Sequence, residues 1–165
     1  MDKSQLATLA SQFPMDPIHL APASIVLSSQ HLGLQSVRFW WRQAPLVEWD
    51  IPPTTQHVVV VRLQNAAKLI YTHNDRYYEG PSHKGDTLIL PAGQPRFWYV
   101  EGLNSLCIAL DPGFVQRVAL ETCDVDPGRV ELLNFCSTHD LVLNSIAQLF
   151  LTELRTDSMG GAAVC

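Results

Sequence analysis

Residues 85–98, GDTLILPAGQPRFW, decide the fold of this 165-residue chain. Gly85-Asp86 is a tight-turn pair, and residues 87–90 form a short apolar run typical of a buried strand. The Pro-Ala-Gly at 91–93 ends that strand, because proline cannot donate to a ladder and glycine permits a sharp reversal. Residues 96–100 restart the chain as a second β-prone run. The stretch therefore predicts a β-hairpin with an arginine and a tryptophan on its returning strand.

Short β-prone runs separated by turn residues fill the chain around this hairpin. In residues 36–42, SVRFWWR, Val37, Phe39 and Trp41 alternate with the other side chains, which is the pattern of a half-buried strand. Residues 57–63, HVVVVRL, are valine-rich on both faces and are predicted to be covered on both. About nine short strands at this spacing indicate a β-sandwich or barrel. The predicted strands are 24–29, 36–42, 46–51 (bracketed by Pro45 and Pro52-Pro53), 57–63, 67–72, 76–79, 87–90, 96–100 and 104–110.

The hydrophobic period becomes helical after residue 110. Asp111 is predicted to cap a helix that has Pro112 at its first position. Residues 130–135 suit a short buried helix, and a last helix is predicted over about 140–155 with Ser137 or Thr138 as its cap. Apolar side chains spread beyond one face of that last helix, where a surface helix normally keeps a polar face. We therefore predict a subunit interface there, with simple burial under the first helix as the alternative; the predicted interface residues are Val142, Ile146, Leu149 and Phe150.

Composition narrows the class of protein. Apolar residues make up 47% of the chain and charged residues 16%, as in an ordinary globular core. The net charge of −5 argues against a nucleic-acid grip by this region alone. No apolar run approaches the ~20 residues that a membrane span needs, and no signal peptide is evident, so a cytoplasmic protein without membrane contact is expected. The four cysteines form no CxxC pair, and Cys107 in LCIAL is predicted to act as a small hydrophobe.

The hairpin resembles the second sequence motif of the cupin fold, as used in the N-terminal domains of AraC/XylS-type bacterial transcription regulators. That motif reads G(x)5PxG(x)2H(x)3N, and Gly85, Pro91 and Gly93 match it. The histidine position holds Arg96 and the asparagine position holds Val100. The order of the following segments, LDPGFVQRVALE, VELLNF and HDLVLNSIAQLFLTEL, is also similar to the passage from barrel to helices in that family. The resemblance covers residues 22–160.

This resemblance implies a mainly β fold, a cupin-like (jelly-roll) β-barrel followed by two or three α-helices. The implied organisation is an N-terminal arm at 1–22, the barrel at 23–110, a helical dimerisation and linker region at 111–156, and a flexible tail at 157–165. It also implies a regulatory domain that binds a small-molecule effector and forms a homodimer through its C-terminal helix. DNA would be contacted only by a helix-turn-helix domain beyond residue 165.

A metal site similar to the family pattern would need HxH and Glu on earlier strands and a histidine at position 96. Arginine cannot ligate a cation and its charge repels one, so no metal and no other cofactor is predicted. His73-Asn74-Asp75 with Glu79 offers ligand types, but His73 is better interpreted as a lone surface histidine in a turn. No nucleophile–base pair or phosphate-binding motif occurs, so no catalytic residue and no enzyme is predicted.

Arg96 is the main candidate for a ligand-binding residue. If position 96 points into the barrel, Trp98 and Val100 do so as well, because side chains alternate along a strand. A partly buried guanidinium demands a carboxylate or a bound anion. The partner is then an effector anion, with tryptophans as apolar walls, or a salt bridge to Glu48 or Asp50; exposure at the barrel mouth is the third alternative. The predicted ligand-binding residues are Trp41, Trp49, His57, Arg96 and Trp98.

Two other functions remain open on the sequence. One is a free-standing metal-dependent cupin enzyme, such as an oxygenase or isomerase. The other is a dimerising module whose barrel is filled by its own side chains, since tryptophans and tyrosines commonly fill a core.

Overall fold

The computed structural model describes residues 14–73, 76–123, 125–130, 132 and 135–160. These residues form eight strands and two α-helices, joined by short loops and four 3-10 turns. The strands are β1 (Ile25–Ser28), β2 (Val37–Ile51), β3 (His57–Arg62), β4 (Ala66–His73), β5 (Arg76–Ser82), β6 (Asp86–Leu90), β7 (Arg96–Leu110) and β8 (Phe135–His139). The helices are α1 (Pro112–Cys123) and α2 (Leu141–Gly160).

Two long antiparallel strands, β2 and β7, form the spine of the sheet. They pair from Val37 opposite Leu110 to Ile51 opposite Arg96. On its other edge, β7 pairs with β4 through its first half and with β3 through its second half. β5 continues the sheet from β4, while β6 and then β8 continue it from β3. The sheet thus has two arms that share the same two strands.

The two arms enclose one hydrophobic core. Leu69 and Tyr71 of β4 belong to the same buried cluster as Leu88 and Leu90 of β6, although these strands lie in different arms. The sheet is therefore rolled around its own apolar side chains. A mainly antiparallel β architecture followed by helices, as the sequence predicts, is confirmed at the level of these elements.

A second cluster covers the outer face of the sheet. Val58 and Val60 of β3 point into the rolled core, whereas Val59 and Val61 point outward. The outward pair packs with a stripe of α2 that includes Leu151 and Leu154. The prediction that this valine run is covered on both faces is confirmed. Burying each additional valine or leucine side chain stabilises the fold by roughly 1.5–3 kcal/mol.

The predicted breaks inside the two long strands are wrong. Residues 36–42 and 46–51 form one strand that passes through Pro45, and residues 96–100 and 104–110 form another that passes through Gly102. The pairing of Ala44 with Leu103 and of Leu46 with Glu101 places Pro45 opposite Gly102. Gly102 has φ +79°, a conformation that glycine adopts without strain. The residues that signal turns in the sequence therefore lie at one shared bend.

Half of the short helix predicted over residues 130–135 lies outside the described residues; residues 130 and 132 are not helical, and residue 135 is in a strand. Strand β8 begins at Phe135 and pairs antiparallel with β6, with Asp86 opposite His139 and Thr87 opposite Thr138. An unpaired edge of β6 offers a row of hydrogen-bonding groups, and satisfying them outweighs a weak local helix preference. Thr138 thus lies in a strand, and the cap of α2 is Asp140, whose Oδ1 accepts from the N–H groups of residues 142 and 143 at 2.9 Å.

The first helix is as predicted. Asp111 Oδ2 accepts a hydrogen bond from the N–H of Phe114 at 3.1 Å, and Pro112 occupies the first turn. Such a cap stabilises a helix by about 1 kcal/mol. Neither described helix is long and apolar enough to cross a bilayer.

Candidate functional site: a cation-lined cavity inside the barrel

A cavity lies inside the rolled sheet, beneath the 3-10 turns of the N-terminal segment. The volume of its inner space is about 30 Å³. The surface of that inner space is entirely apolar. The cavity is lined by Pro17, Leu20, Trp40, Arg42, Trp49, Ile51, Thr54, Val58, Val60, Leu90, Arg96, Trp98 and Cys107.

Arg42 is a buried cation in the wall of this cavity. Its side chain is 2% exposed, and its guanidinium donates to backbone oxygen atoms of Pro17 at 3.0 Å and of Leu20. The guanidinium also lies 5.6 Å and 5.4 Å from the ring centroids of Trp40 and Trp49. Burial lowers the pKa of Arg42, and neighbouring Cys107 opposes part of that shift. Arg42 thus places a desolvated positive charge at the cavity wall.

Arg96 is a second buried cation, at the start of β7. It is 6% exposed, and its Nη2 donates to the carbonyl oxygen atoms of Pro91 at 2.6 Å and Gln94 at 2.9 Å. Within the described part of the chain, its Nη1 is buried without a hydrogen-bond partner. Burial lowers the pKa of Arg96, and the charge and a hydrogen bond of the neighbouring Tyr71 side chain oppose part of that effect. The arginine therefore fixes the β6–β7 turn through Nε and Nη2, and only its Nη1 atom is without a partner among the described residues.

The described residues around the cavity include no carboxylate and contain several buried hydrogen-bond donors. Across residues 14–73, 76–123, 125–130, 132 and 135–160, neither Arg42 nor Arg96 has a carboxylate within 4 Å. The indole Nε1 atoms of Trp40 and Trp98 are likewise buried without a partner among these residues. Burial raises the pKa of Cys107, so its thiol stays neutral and supplies no counter-charge. A buried charge is normally paired, and buried polar groups are normally hydrogen-bonded.

Arg62 adds a third buried cation farther along the interior. It is fully buried, and it donates to Ser105 Oγ at 3.1 Å and to the carbonyl oxygen of Gly102 at 2.9 Å. Burial lowers the pKa of Arg62 to about 10, against which Cys107 and Asp86 act. The guanidinium therefore stays charged at neutral pH. Unlike Arg42 and Arg96, it has the charge of Asp86 in its surroundings.

Three of the five predicted ligand-binding residues line the cavity: Trp49, Arg96 and Trp98. The predicted inward direction of Arg96, Trp98 and Val100 agrees with their burial at 6%, 3% and 0%. The predicted alternatives for Arg96 do not occur: it forms no salt bridge with either candidate carboxylate in the described residues, and it is not exposed.

Trp41 and His57 lie elsewhere. Trp41 is on the outer face, where its Nε1 donates to Asn104 Oδ1 at 2.8 Å and the Arg155 guanidinium lies 5.0 Å from its ring centroid. His57 Nδ1 accepts a hydrogen bond from the Ala92 N–H at 2.9 Å. Neither residue is part of the cavity lining.

The predicted set of ligand-binding residues contains Trp41 in place of Trp40 and lacks Arg42. The alternation in SVRFWWR defines two faces of the strand, but both faces are covered, one by the rolled core and the other by α2. Alternation therefore does not tell which set points inward. The signal that could have found them is Arg42 itself, since an arginine is tolerated inside only where oxygen atoms receive it, and the proline-rich segment before β1 supplies them.

The residues of this site do not fit a divalent metal ion. Arg96 occupies the position where the motif would supply a histidine, and the guanidinium repels a cation. Glu48 and Asp50 are exposed on the outside. Throughout the described residues, no group of three or more histidine, cysteine, aspartate or glutamate side chains is placed to hold a metal ion. His73, expected at the surface, is instead 5% exposed, with its Nδ1 3.2 Å from the Pro95 carbonyl oxygen.

The predicted dimer-interface residues divide into two sets. Val142 and Leu149 are 68% and 67% exposed on α2, and Ile146 is 36% exposed. Phe150 instead stacks on Phe39 of β2, with ring centroids 4.3 Å apart, within the outer cluster. An apolar strip of α2 therefore faces away from the sheet, while Phe150 secures the helix to it.

The chain shows only limited similarity to known proteins. No family profile and no curated protein sequence matches the chain. Among solved structures, a conserved Streptococcus pyogenes protein of unknown function aligns at 20% identity and a TM-score of 0.40, covering 48% of this chain and 68% of that one. A variant of Bacillus subtilis oxalate decarboxylase aligns at 13% identity and a TM-score of 0.42, covering 63% of this chain and 33% of the enzyme. This chain thus spans about a third of the length of the enzyme, and likeness of this extent says nothing about activity.

Proposed function

We propose that this chain is the small-molecule-sensing and dimerising domain of an AraC-type, cytoplasmic transcription regulator. The observation that carries the proposal is the interior cavity, in which two buried arginines and unpartnered N–H groups stand without a counter-ion. In a barrel that binds no ligand, each of these groups would stay without a partner and would lower the stability of the fold. The resemblance of residues 85–93 to the cupin motif, combined with the order of the segments after residue 110, supports the choice of the regulator family.

The exposed strip of α2 supports the dimerising part of the proposal. The same helix that presents this strip packs through its opposite stripe on the outer faces of β2, β3 and β7. Those strands carry Trp40, Val58 and Trp98, which line the cavity. An effector with different affinities for two arrangements of the sheet would thereby bias the pairing of subunits or the docking of a DNA-binding domain.

A ligand screen tests the sensing part. Thermal unfolding of the chain is measured against sugars, aromatic acids, aliphatic acids and polyamines. A ligand at 100 times its dissociation constant should add about 2.7 kcal/mol to the free energy of unfolding. Saturable stabilisation by one chemical class supports a sensor, whereas a chain that responds to none of them is a dimerising module with a filled barrel.

The alternative function, a metal-dependent cupin enzyme, is tested by elemental analysis of the purified protein. Stoichiometric manganese, iron or nickel, together with a loss of thermal stability on chelation, would contradict the sensor proposal. We expect no stoichiometric metal, because the residues around Arg96 supply no ligand set.

A further inference from the structure

We infer that the cavity binds a short-chain monocarboxylate, with its carboxylate held by Arg96, Trp40 and Trp98 and its aliphatic chain in the apolar inner space. This inference rests on the proposed sensing function and names the chemical class of its ligand.

The charge of the ligand follows from the groups that lack partners. Arg96 Nη1 and the Nε1 atoms of Trp40 and Trp98 are all donors, so the missing group must accept hydrogen bonds. Arg42 donates from its Nη atoms to Pro17, Leu20, Ala21 and Ser24 oxygen atoms and adds positive charge. Since no carboxylate of the described residues neutralises either arginine, an anion complements the site better than a neutral acceptor such as water or a sugar hydroxyl.

The size and the apolar part of the ligand follow from the shape of the cavity. The inner space of about 30 Å³ has room for two or three water-sized groups, well below the ~300 Å³ of a drug-sized pocket. Its accessible surface is apolar, and the unpartnered N–H groups are buried beneath that surface. The aliphatic chain of an acid with two or three carbons beyond the carboxylate fills this space, and binding then requires the lining side chains to rotate so that their donors face the carboxylate.

Arg96 is built to receive the carboxylate. Its Nε and Nη2 are fixed on the Gln94 and Pro91 carbonyl oxygen atoms, which orients the guanidinium plane without using Nη1. Trp98 is held edge-on against Trp49, with ring centroids 5.8 Å apart, so its indole has a defined direction. Preorganised donors of this kind reduce the entropy that binding costs.

The test measures affinity by tryptophan fluorescence and thermal shift at constant ionic strength. The probes are sodium acetate, propionate, butyrate and hexanoate, with propionamide and butyramide as neutral counterparts. We expect propionate and butyrate to bind saturably, acetate and hexanoate to bind more weakly, and the amides to bind at least tenfold more weakly. Equal affinity for acid and amide would overturn the inference.

Three variants locate the site. Arg96→Lys keeps the charge but loses the planar donor edge, and Trp98→Phe removes one unpartnered indole N–H; each should weaken propionate binding about tenfold or more. Trp41→Phe is the matched control, because Trp41 lies on the outer face, and its affinity should stay within twofold of the wild type. Should Arg96→Lys fail to fold, Trp98→Phe decides the outcome by itself. Unchanged affinity in both site variants would contradict the inference.

The two proposals fail in distinguishable ways. Stabilisation by a neutral compound, with no response to any carboxylate, overturns the carboxylate inference and leaves the sensor proposal standing. No response to any small molecule overturns both.

Discussion

The reactivity of Cys107 reports on solvent access to the interior of the barrel. It is 3% exposed, and burial raises the pKa of its thiol, although Arg42 and Arg62 act in the opposite direction. The thiolate is the reactive form, and both access and ionisation are suppressed here. Cys123 on α1 is exposed.

We therefore expect Cys107 to resist alkylation in the folded protein while Cys123 reacts. Brief treatment with iodoacetamide at pH 8, followed by peptide mass spectrometry, should label Cys123 at least tenfold faster. In a denaturant the two rates should become similar. Rapid labelling of Cys107 in the native protein would show that the interior opens to solvent.

His57 links stability to pH. Burial lowers its pKa, against the opposing charge of Asp111, and its Nδ1 accepts from the Ala92 N–H. A pKa below the unfolded value of about 6.5 means that the unfolded chain binds the proton more readily. The contribution of His57 to stability is therefore complete above pH 6.5 and is lost as the pH falls from 6.5 through the lower, folded pKa.

We expect the free energy of unfolding to fall between pH 7 and pH 5. In His57→Asn this free energy should change less with pH, because the amide oxygen of asparagine can accept the same hydrogen bond and does not titrate. Urea unfolding at several pH values measures this. His19→Asn serves as the control, because His19 is exposed, and it should keep the wild-type slope. An identical slope in His57→Asn would assign the pH dependence to other groups.

At the residue scale, the sequence indicates which residue types line the cavity better than it indicates which side chains point inward. Arg96, Trp49 and Trp98 could be assigned to the cavity because a motif fixes the phase of their strand or because their neighbours are polar. Trp40 and Trp41 are adjacent and chemically identical, and both faces of their strand are covered, so alternation alone does not tell which one points inward.

Among the structural elements, glycines with positive φ define the turns and the bend. Gly102 has φ +79°, and a β-carbon added there would meet nothing within 4 Å. Gly85 has φ +89°, and its β-carbon would lie 2.6 Å from Cε1 of His139 on β8. Alanine would therefore strain the backbone at both positions, but it would also clash with a side chain at Gly85.

We expect Gly102→Ala to cost about 1–2 kcal/mol through backbone strain alone. Gly85→Ala should cost more, because the His139 ring must also move away from Asp86. Combining Gly85→Ala with His139→Ala should remove that excess in a double-mutant cycle measured by urea unfolding. If Gly85→Ala costs the same in the His139→Ala background as in the wild type, the His139 side chain of β8 does not contribute to the cost at this turn.

The ends of helices and strands were predictable where local capping residues define them. They were not predictable where pairing with a distant strand defines them. Asp111-Pro112 begins α1 as expected from capping rules alone. Strand β8 could not be foreseen, because its strand conformation depends on the edge of β6, about fifty residues earlier in the chain. Pro45 and Gly102 each suggested an end, and only their position opposite each other shows a bend.

On the scale of the whole molecule, the exposed strip of α2 predicts self-association. Leu149 is 67% exposed in the single chain, so Leu149→Glu should leave the fold intact and disrupt a dimer by placing an unpaired charge in its interface. Val142→Glu should act in the same way. Analytical ultracentrifugation or size-exclusion chromatography with light scattering measures the outcome.

Thr152→Glu is the matched control, because Thr152 is an exposed polar position on the same helix. It should keep the wild-type oligomeric state. The same oligomer in wild type and in both apolar-to-glutamate variants would remove α2 from the interface, and a wild-type chain that stays monomeric at high concentration would remove the dimer itself.

The bend shared by β2 and β7 limits which insertions, deletions and substitutions the barrel can accept. Fourteen residue pairs hold the two strands in register on both sides of Pro45 and Gly102, so inserting or deleting one residue in either strand would turn inner side chains outward. Length variation is therefore confined to the loops. New ligand preferences must arise through exchange of side chains at fixed inward positions, such as Trp40, Arg42 and Trp98, whose alternatives can be enumerated and made one at a time.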